Sequence, residues 1–271
     1  MHSLRKIGSF LFASNLIVAF AGGALTYGIV KRFVLEHATI YALINFCLIF
    51  SVYTLQRIID HAGFTDEEIT VWGHSKRTPI LLSSVLIVLA IGLAIPIFSV
   101  TIHQISLILL FSLICLWYTM PLFGKKLREI PGIKIVVIAL TWGYACAYFP
   151  LKNEGGVSSD ELLEFSLLLL VYLIAVILPF DIRDVHVDDH HQSTLPQLIG
   201  IRLTKVMGVV LLITFAIVSI DARFVHARNY LFYAAILLQI VLLVFTNERR
   251  RFGYFLLVDF GISLLGFSYL Y

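Results

Sequence analysis

The chain has 271 residues, of which 59% are hydrophobic and 14% charged, and its mean hydropathy is +0.93. A water-soluble globule solvates its surface with about 25% charged residues, so a soluble domain is excluded and an all-α polytopic membrane protein is expected. The 20 basic and 17 acidic residues leave a formal charge of +3, and their placement along the chain carries more information than their sum.

A spanning helix needs about 20 mostly apolar residues. Nine runs qualify, near 8–30, 39–59, 79–99, 102–119, 132–150, 161–180, 204–220, 229–246 and 253–270. The first follows Arg5 and Lys6 but has spanning length and no small-residue cleavage site, so it is expected to stay as a helix and not to be removed as a signal peptide. Cys47, Cys115 and Cys146 all fall inside apolar runs, which points to packing and away from a disulfide or zinc framework.

The segments between the runs set the orientation. With a cytoplasmic N-terminus, that end and the even-numbered loops hold fourteen Lys and Arg residues against five on the other side, leaving out Lys134 just inside the fifth run. Such a bias obeys the positive-inside rule and places the C-terminus outside. The two long charged loops, 60–78 and 181–204, are then both cytoplasmic, and chemistry is expected there. No linker divides the chain, so residues 1–271 read as a single integral-membrane domain.

The second of these loops opens on Asp181-Ile182-Arg183-Asp184-Val185-His186-Val187-Asp188-Asp189, the densest group of carboxylates in the chain. If the preceding helix continues, Asp181, Asp184 and Asp188 fall at i, i+3 and i+7 and share one face. Carboxylates so crowded repel unless solvated, protonated or bridged, and a cluster of oxygen ligands favours a hard cation such as Mg²⁺. Tyr53, Gln56 and Asp60 repeat that spacing at the end of the second run, with only Asp60 acidic.

These residues resemble the UbiA superfamily of intramembrane prenyltransferases. Asp181, Arg183, Asp184 and Asp188, followed by Thr194-Leu195-Pro196-Gln197-Leu198-Ile199-Gly200, look like that family's second aspartate-rich motif and its Thr-Leu-Pro segment. Lys76-Arg77-Thr78-Pro79 ends the first long loop as the family's Arg-Pro does, and Tyr118 precedes a basic turn at Lys125 and Lys126. The resemblance implies a nine-helix bundle with a central cavity opening to the cytoplasmic side of a bacterial inner membrane. Two aspartate-rich motifs would hold Mg²⁺ there and grip an isoprenyl diphosphate. It makes Asp181, Asp184 and Asp188 metal ligands, and Asp60 the surviving acid of the first motif. This chain departs from the family at Val52, Tyr53 and Gln56, where the family has Asn and two acids. Gln56 still offers a neutral oxygen, whereas Tyr53 is a poor ligand because a phenol titrates near pH 10.

Ionising an allylic diphosphate leaves charge on the departing group, which cations stabilise in a low-dielectric pocket. Arg57 lies three residues before Asp60 and is placed either to pair with it or to reach a phosphate, or else to anchor the helix end. Lys134, after Pro131-Gly132, either snorkels or meets an anion in the cavity. The residues read as contacting diphosphate are Arg57, Lys76, Arg77, Tyr118, Lys125 and Lys134. His186 and His190 could form half of a zinc site, but no further ligand set is spaced to complete it, and His186 better suits support of a carboxylate. Asp66, Glu67 and Glu68 read as a solvated acidic knot, and Asp160 and Glu161 as acids favouring a helix N-terminus. Asp259 is an acid inside the last run, explained either by function or by a hydrogen bond to a neighbouring helix. Trp72, Trp117, Trp142, Tyr118, Tyr144 and Tyr148 are candidate cavity walls, whose faces would favour a carbocation.

The reading that gathers these features is Mg²⁺-dependent transfer of a prenyl group to an apolar, aromatic or lipid acceptor inside the bilayer, a transfer of an alkyl group other than methyl. Its partners are the diphosphate, the acceptor and membrane lipid, with no nucleic acid. The rivals are a UbiA-type terpene cyclase, a non-catalytic UbiA-like protein that binds a lipid or prenyl compound, and, last, a small-solute transporter.

Overall fold

The structure is a computed structural model that describes residues 14–60, 77–97, 102–122, 124–186, 194–247 and 252–271, without the side chains of 60, 102–104 and 252–253. The described residues form helices and connecting turns, with no strand. In chain order these are α1 (Leu16–Arg32), α2 (Ala38–Asp60), α3 (Arg77–Ala94), α4 (Ile102–Thr119), α5 (Ile133–Glu154), α6 (Ser159–Arg183), α7 (Leu195–Ile199), α8 (Ile201–Asp221), α9 (Tyr230–Phe245) and α10 (Phe252–Ser268). Each of the nine apolar runs holds one long helix, and α7 is a short addition between α6 and α8.

Among the described residues five helices, α2, α3, α5, α6 and α8, are long and apolar enough to cross a bilayer, and α4, α9 and α10 include shorter apolar stretches. At about 1.5 Å per residue the 25 residues of α6 reach about 37 Å, enough to cross a hydrocarbon core of about 30 Å with residues to spare at each face. In lipid a helix need not be amphipathic, because its backbone groups bond to one another and its outer side chains meet hydrocarbon. The helix α3 shows this: Pro79, Ser83 and Ala90 are buried, while Leu81, Val85, Val88 and Ile91 are exposed on the protein surface. Such surfaces suit acyl chains and would aggregate in water. The chain is an integral membrane protein.

The helices group into two compact units, residues 1–98 with 251–270, and residues 99–250 with 271. In the first, α1 packs on both α2 and α10, and α2 packs on α3. Small residues bring these backbones together: a Cβ added at Gly28 would lie 1.7 Å from the Gly266 carbonyl oxygen, and one at Gly266 would lie 2.4 Å from that of Ala24. Contact this close is how helices associate in lipid, where apolar burial gives little driving force. Polar side chains add to it. Asn45 Nδ2 donates to Thr26 Oγ1 at 2.8 Å, and Asn15 Nδ2 to Thr54 Oγ1 at 3.2 Å. Asp259 is buried in α10.

In the second unit α6 is the hub, packing against α5, α8 and α9, with α7 against α6 and α8. Its first turn carries Asp160 and Glu161, as expected from the sequence, and the Ser158 side chain caps it by accepting from the Glu161 N–H. Pro179 sits inside α6, where it removes the N–H that would serve the carbonyl one turn earlier. The helix α5 is wound more widely from Tyr144 to Tyr148, as a π turn. There Tyr144 stacks on Phe111 of α4 with ring centroids 4.0 Å apart. Cys47 and Cys146 are buried, Cys115 is half-buried, and no disulfide joins them.

Candidate functional site

The end of α6 places the acids. Asp181 lies in its last turn with 1% of its surface exposed, and the helix stops at Arg183, with Asp184 as the capping residue. The three-acid helical face envisaged from the spacing therefore reaches Asp184 and goes no further. Asp188, His190 and His191 lie outside the described residues, and His186 is exposed in the turn after the helix.

Asp181 and Asp184 each have a basic partner. Lys134 Nζ of α5 is 3.1 Å from Asp181 Oδ1, with side-chain exposures of 17% and 2%. The contact is an ion pair between two groups that water hardly reaches. Lys134 thus meets an anion, and that anion is a carboxylate of the chain itself. Asp184 is held by its neighbour: Arg183 Nε donates to Oδ1 at 2.5 Å and Nη2 to Oδ2 at 2.6 Å, while the guanidinium lies 5.6 Å from the Phe180 ring centroid. Two-point contact of this kind is the strong form of a charged hydrogen bond.

Gln197 joins Val185 to Thr194. Its Nε2 donates to the Val185 carbonyl at 2.9 Å, and its Oε1 accepts from the Thr194 N–H at 2.8 Å. One side chain thereby holds the last described residues before the loop to the first after it. Pro196 lies in the first turn of α7, and Gly200, with φ of +81°, passes the chain into α8 through a conformation that other residues rarely adopt. Thr194 and Gln197 form a capping box, whose Thr-x-x-Gln spacing ahead of a helix is visible in residue order, whereas the bond to Val185 is not.

In the first unit, α2 runs unbroken to Asp60, so Tyr53, Gln56 and Asp60 do share a helical face. Tyr53, Gln56 and Arg57 are half-buried. Arg77 is the exposed first residue of α3, and Lys76 lies outside the described residues, as do Asp66, Glu67, Glu68 and Trp72. In the second unit Tyr118 is half-buried in the last turn of α4, and Lys125 is exposed. The Trp117 indole N–H donates to the Lys125 carbonyl at 3.0 Å, which fixes the turn after α4. Among the candidate walls, Trp142 is buried, and Tyr148 joins the aromatic group about the π turn, its ring 6.0 Å from Tyr144.

Asp181 and Asp184 offer carboxylate oxygens three residues apart at one helix end, the donor type that a hard divalent cation takes. No three His, Cys, Asp or Glu side chains come together among the described residues.

No model of a protein family and no curated protein sequence matches the chain. Solved structures do. A digeranylgeranylglyceryl phosphate synthase aligns with a TM-score of 0.57 and 17% identity, over 99% of this chain and 98% of its own. A UbiA homologue from Archaeoglobus fulgidus, bound to DMAPP and Mg²⁺, aligns at 0.56 and 15%, over 97% and 99%. A UbiA homologue from the same organism, bound to GPP and Mg²⁺, aligns at 0.56 and 14% over the same shares. Likeness at such identity is likeness of fold, and it spans nearly the whole of each chain: this protein has a UbiA-like membrane fold.

Proposed function

We propose that the protein transfers a prenyl group from an isoprenyl diphosphate to an apolar acceptor within the membrane, in an Mg²⁺-dependent reaction. The observation that carries this reading is the pair of carboxylates at the end of α6, one of them buried, in a fold shared with UbiA homologues that bind DMAPP or GPP with Mg²⁺. Asp181, Asp184 and Asp188 would hold the cation, with Asp60 and Gln56 as the contribution of α2. Mg²⁺, when bound, stabilises the charge that gathers on the departing diphosphate. Arg57, Lys76, Arg77, Tyr118 and Lys125 are assigned to the diphosphate, to bind and orient it. The whole chain acts as one domain in a cytoplasmic membrane, N-terminus inside and C-terminus outside. A terpene cyclase would use the same ionisation without an acceptor.

A binding protein without turnover is the second reading, and it has an observation of its own: Asp181 and Asp184 already have basic partners, and Tyr53 and Gln56 replace acids. Liposomes carrying the purified protein, given isoprenyl diphosphates of several lengths with and without Mg²⁺, separate the two. Mg²⁺-dependent release of diphosphate that disappears in Asp184→Ala supports the transferase. Tight Mg²⁺-dependent binding with no release, across a panel of aromatic and lipid acceptors, assigns the binding protein.

A further inference from the structure

The turn that joins α4 to α5, residues 120–132 leaving aside Phe123, gathers positive charge on a short piece of chain. Lys125, Lys126 and Arg128 stand there against one acid, Glu129, a net charge of +2. The backbone that carries them is closely tied. The Trp117 indole N–H donates to the Lys125 carbonyl at 3.0 Å, and the Lys126 N–H donates to Glu129 Oε2 at 3.1 Å. The N–H groups of Glu129 and Ile130 donate to the carbonyls of Lys126 and Leu127 at 3.0 and 3.2 Å, and Leu127 is buried.

Exposed apolar side chains flank these bases. Met120, Leu122 and Ile130 are exposed within the turn, Leu113 and Leu116 on the α4 side, and Val136 and Leu140 on the α5 side. The exposed side chains of the two helices meet acyl chains in the membrane, so the turn between them lies where hydrocarbon gives way to lipid headgroups. Lys125 is exposed, and Lys126 and Arg128 are half-buried, as suits long side chains that lay their stems on apolar surface and hold their charge in the polar layer. The turn from α8 to α9 also carries exposed bases, Arg223 and Arg228, but its Phe224 packs at 5.0 Å on Phe165 of α6, whose first turns hold Asp160, Glu161 and Glu164. The α4–α5 turn is therefore the better fit to an anion.

We propose that this turn binds the headgroup of an anionic phospholipid, with Lys126 and Arg128 answering its charge and Met120, Leu122 and Ile130 set among acyl chains. Anionic lipid attracts each base beside a membrane by about fivefold in affinity. The site lies within one unit and needs no metal. It goes beyond the transferase reading, which draws on Lys125 alone in this turn.

The test reads the fluorescence of Trp117, whose indole is bonded into the turn, in the full chain carrying Trp72→Phe and Trp142→Phe and reconstituted in phosphatidylcholine bilayers. Acyl-brominated phosphatidylglycerol is expected to quench Trp117 at about fivefold lower mole fraction than acyl-brominated phosphatidylcholine. The preference should vanish in Lys126→Gln/Arg128→Gln and persist in Lys126→Arg/Arg128→Lys, which keeps both charges. It should also shrink in about 1 M NaCl, where screening acts within about 3 Å. Equal quenching by the two lipids in the parent chain overturns the inference, as does a preference that survives the double substitution to Gln. If that variant does not fold, the salt series decides, and a preference untouched by salt overturns the inference. Inorganic pyrophosphate that abolishes the preference at constant ionic strength assigns these bases to the diphosphate and overturns the lipid site. The transferase reading fails separately: a chain that releases no diphosphate but keeps the lipid preference removes that reading and leaves this one.

Discussion

The ends of α2 and α6 share a spacing and differ in how they treat charge. At the end of α6 two acids are kept, one nearly inaccessible to water, and each is matched by a base: Lys134 from the neighbouring helix for Asp181, and Arg183 from the same turn for Asp184. At the end of α2 the helix continues without interruption to its one acid, and the positions a turn and two turns earlier hold a neutral amide and a phenol. Repeated spacing therefore does not bring repeated charge. Where acids are retained beside a membrane core, counter-charge has to be built in, because desolvation penalises an unmatched carboxylate more than its Coulomb energy can recover elsewhere.

The largest break in that comparison is expected from Asp181→Ala. It removes a proposed ligand and strands Lys134, so Mg²⁺-dependent diphosphate release should fall by about 100- to 1,000-fold, and melting in detergent should show a loss of about 3 kcal/mol. A fall no greater than that of Gln56→Ala would make the two helix ends equal. Next is Arg57→Gln, which deletes a guanidinium from the acid-poor end. Binding of isoprenyl diphosphate, followed by calorimetry, should weaken about 10-fold, the equivalent of one charged hydrogen bond. Unchanged affinity would make Arg57 an interface anchor. Gln56→Asp tests the comparison from the other direction: an acid restored to α2 should tighten Mg²⁺ about fivefold by adding ligand charge, and no tightening would remove Gln56 from the ligand set. The smallest effect is local. Gln197→Leu frees the Thr194 N–H from its acceptor, and hydrogen exchange at that amide should accelerate about fivefold, as the loss of about 1 kcal/mol implies. An unaltered rate would show that Gln197 does not protect the Thr194 N–H.

Much of the fold was legible because the bilayer imposes a length and a polarity that show directly in residue order. Among the described residues each of the nine apolar runs holds a helix, five of them long enough to span a bilayer, and boundaries such as Asp160-Glu161 at the start of α6 followed from simple electrostatics. The site was legible in part. Asp181 and Asp184 stand together at one helix end, as their spacing suggested, but the expected helical continuation toward Asp188 is cut short at Arg183. The Gln197 staple shows in residue order only as a capping-box pattern, since its second bond, to Val185, joins residues twelve apart.

Residue order alone settles what each helix is made of: its span, the small residues that let α1 meet α10, and the acids and bases at its ends. It does so because these depend on neighbours within a few turns. Tertiary packing decided which charge answers which. Lys134 could have reached toward lipid headgroups or a ligand, and Asp181 could have faced water. Antiparallel packing of α5 on α6 brings the start of one helix to the end of the other, and at 3.1 Å the two unfavourably placed charges become each other's solvent.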